Sequence, residues 1–318
     1  MQVLGIDISK DTLACCLAGR DTKAFDVPNS VAGLRKLKRT IPHGTILCFE
    51  STGPYGKLLV ATLSGHFDLH QLNENQIKAA GSMSRTKTDT RDARLIAEAG
   101  KRLAMFDPAD LETTRVLWRQ DHESLLLMVS EYERLKDQIV ARQAQLEALS
   151  VNPAPAARQI ERRIRQEITR LEKSQRQVKA DIDAAISELP DAQLIKSVPG
   201  LGTLNAAALA AKIGDIARFE TVDKLKGYIG AYPRRFQSGR HEGPSRMATH
   251  GSAILRHLLW NAAKVAARHN PVCKALFERL VAKGKHAAAA YGAVMRKLVE
   301  LVYGVLRSRK PFNPEFTH

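Results

Sequence analysis

The order of short runs in residues 1–110 narrows the fold more than any other feature of this chain. Residues 3–9, 12–18 and 23–27 read as strands joined by tight turns, one of them at Gly19-Arg20-Asp21. A helix follows over 30–38, with Ser30 as its N-cap. Then come a strand over 45–50, a helix over 55–63, a strand over 67–72, a short helix over 75–80 and a longer helix over 89–103. Three strands joined by turns must pair antiparallel. Strands joined by helical crossovers pair parallel, with helices covering the sheet. The expectation is a mixed α/β sheet domain over residues 1–110.

The pattern changes at residue 111. Residues 111–190 hold almost no glycine and are rich in Gln, Glu, Arg, Leu and Ile. Ile160, Ile164, Ile168, Leu171, Val178, Ile182, Ile186 and Leu189 recur mostly three or four residues apart, a helical apolar stripe close to heptad period. Val151-Asn152-Pro153-Ala154-Pro155 cannot continue a helix, so two long helices should form a hairpin or coiled coil. Such a stripe serves either packing within the chain or pairing of protomers as a dimer or tetramer. Residues 191–318 are Ala-rich, basic and read as all-α. Ser197-Val198-Pro199-Gly200-Leu201-Gly202-Thr203 separates two of their helices. Gly200 and Gly202 could let backbone N–H groups approach a phosphate, or could simply turn the chain.

Charge narrows the partners. The chain of 318 residues carries 49 Lys+Arg against 33 Asp+Glu, a formal net charge of +16. Residues 1–110 hold a net +3, residues 111–190 a net 0 and residues 191–318 a net +13. Concentrating nearly all the excess in the last third disfavours a small-metabolite enzyme and favours a phosphate backbone. No run approaches the ~20 apolar residues of a membrane helix, and the first apolar run stops at Asp7. Cys15, Cys16, Cys48 and Cys273 form no C-x-x-C pair, so a protein of a reducing compartment without a disulfide framework is expected. A cytoplasmic location fits that reading.

Four carboxylates fall at telling positions. Asp7 ends the first strand and Glu50 ends the fourth. Asp89 and Asp92 lie three apart at a helix start, on one face. The element order resembles the ribonuclease H-like fold, in which the first and fourth strands are neighbours. There the four acids would converge on one sheet edge. Converging carboxylates repel unless a cation neutralises them, and hard oxygen donors select Mg²⁺ or Mn²⁺. Taken singly, each acid could equally be a turn or cap residue.

A second cluster is Tyr232-Pro233-Arg234-Arg235-Phe236-Gln237-Ser238-Gly239-Arg240, followed by Gly243-Pro244-Ser245-Arg246-Met247. Ser238, beside a glycine and among arginines, could attack phosphorus. It could also be an ordinary turn residue in a passive phosphate contact. Arg234, Arg235, Arg240 and Arg246 are candidate nucleic-acid contacts, and Ser245 is the alternative nucleophile.

Together the boxes Gly5-Ile6-Asp7, Glu50-Ser51-Thr52-Gly53, Lys87-Thr88-Asp89-Thr90-Arg91-Asp92-Ala93, Ser197-Val198-Pro199-Gly200-Leu201-Gly202 and Pro233-Arg234-Arg235-x-x-Ser238-Gly239 resemble the DEDD-type insertion-sequence transposases, relatives of the Piv and MooV DNA invertases. The resemblance runs over almost the whole chain. It implies a RuvC-like domain over 1–110 with Asp7, Glu50, Asp89 and Asp92 as a Mg²⁺-binding tetrad. It implies a helical assembly region over 111–190 and a transposase domain over 191–318 with Ser238 as nucleophile. It also implies donor and target DNA as substrates and a non-coding guide RNA as partner. The rival reading is a structure-selective nuclease of Holliday-junction type, using the same carboxylates and water. A third is a nucleic-acid-binding assembly factor with a decayed site.

Overall fold

The computed structural model describes the chain except residues 20–21, 51–52, 80, 82–88, 117, 235–236, 239–240, 243–245, 248–250 and 316–318; within 233–250 it describes backbone only. The chain divides into two compact units. The first is residues 1–119 joined by 218–220, and the second is 120–217 with 221–318.

The first unit is a five-stranded mixed sheet. Strands β1 (Val3–Ile8), β2 (Thr12–Leu17) and β3 (Phe25–Pro28) form an antiparallel meander. Strands β4 (Ile46–Glu50) and β5 (Asp68–Leu72) add on in parallel, giving the order β3-β2-β1-β4-β5. The parallel register sets Gly5 beside Cys48. Helices α1 (Val31–Thr40), α2 (Lys57–Leu63), α3 (Glu74–Lys78) and α4 (Asp89–Phe106) alternate with the later strands. Two local devices start the shorter ones. Ser30 Oγ accepts the Gly33 N–H, and Asn73 forms a reciprocal capping box with Gln76.

Strand alternation decides which face each residue takes. Leu4, Ile6, Leu47 and Phe49 point into one core with Leu34 and Leu37 of α1 and Leu59 and Leu63 of α2. Val3, Cys48 and Leu72 point to the other face, where Ile96 and Ala99 of α4 cover them. The helix lies very close to the sheet there. A Cβ on Gly5 would sit 2.1 Å from the Ala93 carbonyl oxygen, and one on Gly100 would sit 2.3 Å from Cys48 Sγ.

After helix α5 (Pro108–Thr113) the chain adds an edge that the sequence reading assigned to the helical region. Val116 N–H donates to the Leu69 carbonyl at 2.7 Å, and Gln71 N–H donates to the Thr114 carbonyl at 2.9 Å. His70, only 2% exposed, fixes this edge through Nδ1, which lies 3.0 Å from the Leu111 carbonyl and 3.1 Å from Thr114 Oγ1.

In the second unit, α6 (Gln120–Ser150) and α7 (Pro155–Ser187) are long helices packed against each other on either side of the proline-containing break. Arg142 and Glu167 bridge them at 3.1 Å. The apolar stripe is unevenly buried. Ile164, Ile182 and Ile186 are inside, whereas Ile160 stays 40% exposed. Helices α8 (Pro190–Lys196), α9 (Thr203–Ile213), α10 (Val222–Ile229), α11 (Ala253–His269), α12 (Pro271–Ala282) and α13 (Ala287–Ser308) complete the unit. Alanines make much of its core, including Ala206–Ala208 of α9 and Ala262, Ala263 and Ala266 of α11. Small side chains let helix axes approach closely.

The all-α expectation for 191–318 needs one correction. Strands β6 (Pro233–Arg234) and β9 (Arg246–Met247) pair antiparallel, as do β7 (Gln237–Ser238) and β8 (His241–Glu242). Pro233, Gly239, Gly243 and Pro244 deny this stretch a helix. Two nested two-residue ladders take its place.

Candidate active site

The site begins with strand parity. Asp7 follows Val3 and Gly5 at even spacing on β1, and Glu50 follows Ile46 and Cys48 on β4. Both therefore face the α4 side of the sheet. Helix α4 runs back along that face. Its Gly100 lies over Val3 and Cys48, and its Ala93 and Ala97 lie over Gly5. The first turn, with Asp89 and Asp92, thus arrives at the C-terminal ends of β1 and β4. Gly5 and Gly100 are the residues that permit this seating. The sequence carries them, but only the sheet explains them.

The electrostatics agree with that placement. The Asp7 carboxyl is pushed up to about 6, first by burial and then by the charges of Asp89, Asp92 and Glu50, against a hydrogen bond from the Ile8 backbone that lowers it. Asp7 thus feels the other three acids. Among the described residues, no three acids or other ligating side chains converge tightly enough to enclose one ion. The donor chemistry fits a hard divalent cation: the side chains are all carboxylates, and their repulsion is of the kind a cation relieves. Lys87, Thr88, Ser51 and Thr52, which flank these acids in sequence, lie outside the described residues.

Ser238 belongs to the second unit. It is the last residue of β7, and its Cα partner is His241. Arg234 pairs in register with Arg246 on the outer ladder. Arg235, Arg240 and Ser245 lie outside the described residues.

The Ser-Val-Pro-Gly-Leu-Gly loop joins α8 to α9. Gly200 has φ +103°, and a Cβ there would come within 2.6 Å of the Ala266 side chain, so packing and backbone conformation both demand glycine. Gly202 is different. It is exposed, has open space around it, and caps α9 without a side-chain hydrogen bond. The loop is clamped by Asn270, fully buried, whose Nδ2 donates to the Pro199 carbonyl at 3.2 Å. Thr203 Oγ1 donates to Asp183 at 2.7 Å.

The sequence reading passed over a group of cations between α10, α12 and α13: Lys226, Arg279, Arg296 and Lys297. In sequence, Arg279 closes an i, i+3, i+4, i+7 run that begins Val272, Ala275 and Leu276, and Arg296 and Lys297 follow Ala293 in a like run, a signal hidden by the general excess of basic residues.

Residues 4–153 match a family described as a transposase of the DEDD IS110 type, and residues 192–278 match the transposase IS116/IS110/IS902 family. The chain is 30% identical over 325 aligned positions to the pilin gene-inverting protein of Moraxella bovis, covering 98% of this chain and 97% of that one. The Moraxella lacunata protein of the same name is equally similar, at 30% over 325 positions. The transposase for insertion sequence element IS1111A of Coxiella burnetii is 23% identical over 295 positions, 85% of this chain and 79% of that one. These matches span both units, and with them the chain belongs to the IS110/IS116 family of DEDD transposases.

Proposed function

We propose that this enzyme, a transposase of the DNA-cutting and rejoining kind, works through a RuvC-like carboxylate site and a serine nucleophile. The observation that carries the reading is the seating of α4 on the sheet, which brings its first turn, with Asp89 and Asp92, to the ends of the neighbouring strands that carry Asp7 and Glu50. In this reading those four acids hold Mg²⁺ or Mn²⁺, which when bound would stabilise charge on the reacting phosphate oxygens. Ser238 Oγ attacks phosphorus, forming an O–P bond as the bond from phosphorus to the 3′ oxygen breaks. The hydroxyl proton passes to the departing 3′ oxygen by way of a base. A 5′-phosphoserine link then conserves the phosphodiester energy for rejoining by the reverse step. Arg234, Arg235, Arg240 and Arg246 neutralise the phosphates that flank the break, with the exposed Gly202 at the start of α9 as a backbone contact.

Donor and target DNA are the substrates, a non-coding guide RNA selects them, and protomers assemble as a dimer or tetramer. The family resemblance supports the guide RNA, and the exposed Leu127, Val140 and Ile160 on the long helices support assembly. Among the described residues no helix is long and apolar enough to cross a membrane.

A denaturing gel tests the chemistry. Cleaved DNA should migrate with covalently attached protein, and peptide mapping should find the nucleotide on Ser238. Ser238→Ala should abolish the adduct while changing binding by no more than the ~0.5–1.5 kcal/mol of one neutral hydrogen bond. Free 5′-phosphate ends without adduct would select the water-dependent nuclease. A modified Ser245 would move the nucleophile.

A further inference from the structure

Helices α12 and α13 enclose a cleft of about 580 Å³ that also takes in Lys226 of α10. That volume lies within the ~300–1,000 Å³ of small-ligand sites. Each helix presents one stripe to it. On α12 the stripe is Val272, Ala275, Leu276 and Arg279, and on α13 it is Ala293, Arg296, Lys297 and Glu300. Residues at this spacing share a helix face and would be apolar in a closed helix pair. Here each stripe starts apolar and ends charged.

The charges are of two kinds. Glu300 is already shared, 2.9 Å from Lys226 Nζ and 3.0 Å from Lys297 Nζ, and Lys226 also reaches Asp223 at 3.0 Å. That network balances its two lysines against two carboxylates, so the cleft's positive excess comes from its arginines. Arg279 and Arg296 face it from opposite walls, and among the described residues neither guanidinium has an ion-pair partner. Phe277 and Tyr291, stacked at 4.7 Å between ring centres, fix α12 against α13 beside the cleft. The walls are therefore held before any ligand arrives.

An apolar seat beside two unengaged guanidinia suits a flat, weakly polar group that carries an anion. We propose that this cleft receives one unpaired nucleotide of a nucleic-acid strand, its base against Leu276 and Ala293 and its phosphate between Arg279 and Arg296. Arginine forks match phosphate oxygens bidentately, and bases are held by contact with side chains once they leave the stack. A duplex keeps its bases stacked and cannot fill the apolar part, so the cleft would favour single-stranded or splayed nucleic acid. The proposal rests on the nucleic-acid reading above, and assigns it a second place of contact remote in sequence from Ser238.

The test uses the full chain and fluorescence anisotropy with a labelled deoxyoligonucleotide, single-stranded or annealed to its complement. Arg279→Gln/Arg296→Gln should weaken single-strand binding about tenfold or more and duplex binding less than about twofold, and should lower the single-strand salt slope by about 0.7 for each phosphate no longer neutralised. Ala275→Trp, at an exposed lining position, fills the cleft without removing charge and should weaken single strands alike. Equal loss for single strand and duplex would mean general surface charge and overturn the proposal. Unchanged single-strand binding in both variants would overturn it and leave the functional reading standing. Saturation by free 5′-dAMP, with oligonucleotide binding unaffected by the variants, would reassign the cleft to a free nucleotide and overturn it. A wild-type chain that binds neither probe would remove the functional reading itself, and this proposal with it.

Discussion

Asp7 loses hydration at the end of β1 and meets three like charges there. The consequence for stability has a definite sign. Its carboxyl sits at about 6 in the fold against 3.8 in an unfolded chain. Between those values the folded state binds the extra proton, so stability falls as pH rises through this window and the loss is complete above about 6. Asp7→Asn should therefore raise the Tm at pH 7.5 in metal-free buffer, with the gain shrinking toward pH 4. A gain independent of pH would show that the carboxyl does not titrate as described. Gly5 acts through shape instead. Gly5→Ala would place a methyl on the Ala93 carbonyl, and overpacking of this kind costs about 1–3 kcal/mol. Strand cleavage should fall more than stability does, because the displaced element carries Asp89 and Asp92. Urea denaturation beside a cleavage assay separates the two effects.

At the scale of elements, Asn270 does two jobs at one junction. Its Oδ1 accepts from the Val272 and Cys273 N–H groups to cap α12, and its Nδ2 holds the Pro199 carbonyl. A lost cap costs ~0.5–2 kcal/mol and a broken buried hydrogen bond ~1–3 kcal/mol. Asn270→Ala should therefore destabilise the second unit by about 2–4 kcal/mol in chemical denaturation. Asn270→Asp should recover part of that, since it can cap but cannot donate to Pro199. Legibility differs among elements for physical reasons. The five strands and the helices between them could be read because period-2 and period-3.6 patterns are local, and the facing of Asp7 and Glu50 follows from parity alone. The 114–116 edge could not, because its partners Leu69 and Gln71 lie more than forty positions away and His70 fixes it from inside. Ladders of two residues around Ser238 carry no period at all. The four carboxylates stand at strand and helix ends that local patterns mark, whereas their spacing in space carries no local signal.

For the whole molecule, charge distribution is the main lever on binding. If the net +13 of residues 191–318 neutralises on the order of six phosphates, affinity should fall about 10³-fold between 50 and 200 mM salt. A filter-binding titration gives that slope directly, and a flat response would show that charge is not what holds the nucleic acid. The first unit has its own dependence on the far part of the chain. Arg218 Nη2 donates to the Thr113 carbonyl at 2.6 Å, and Phe219 beside it is fully buried. Phe219→Ala should cost about 3–5 kcal/mol, and its unfolding transition should be read in the first unit.

That insertion of residues 218–220 also bears on how such genes can be recombined. A breakpoint placed near residue 119, between the sheet and the long helices, looks natural on a linear map. Yet a hybrid built there would inherit its sheet from one parent and residues 218–220, which belong to the same unit, from the other. Parents that differ around residues 218–220 would yield offspring with a mismatched first unit. Heredity would tend to keep the two halves of the gene together, so that its lineages diverge as whole units.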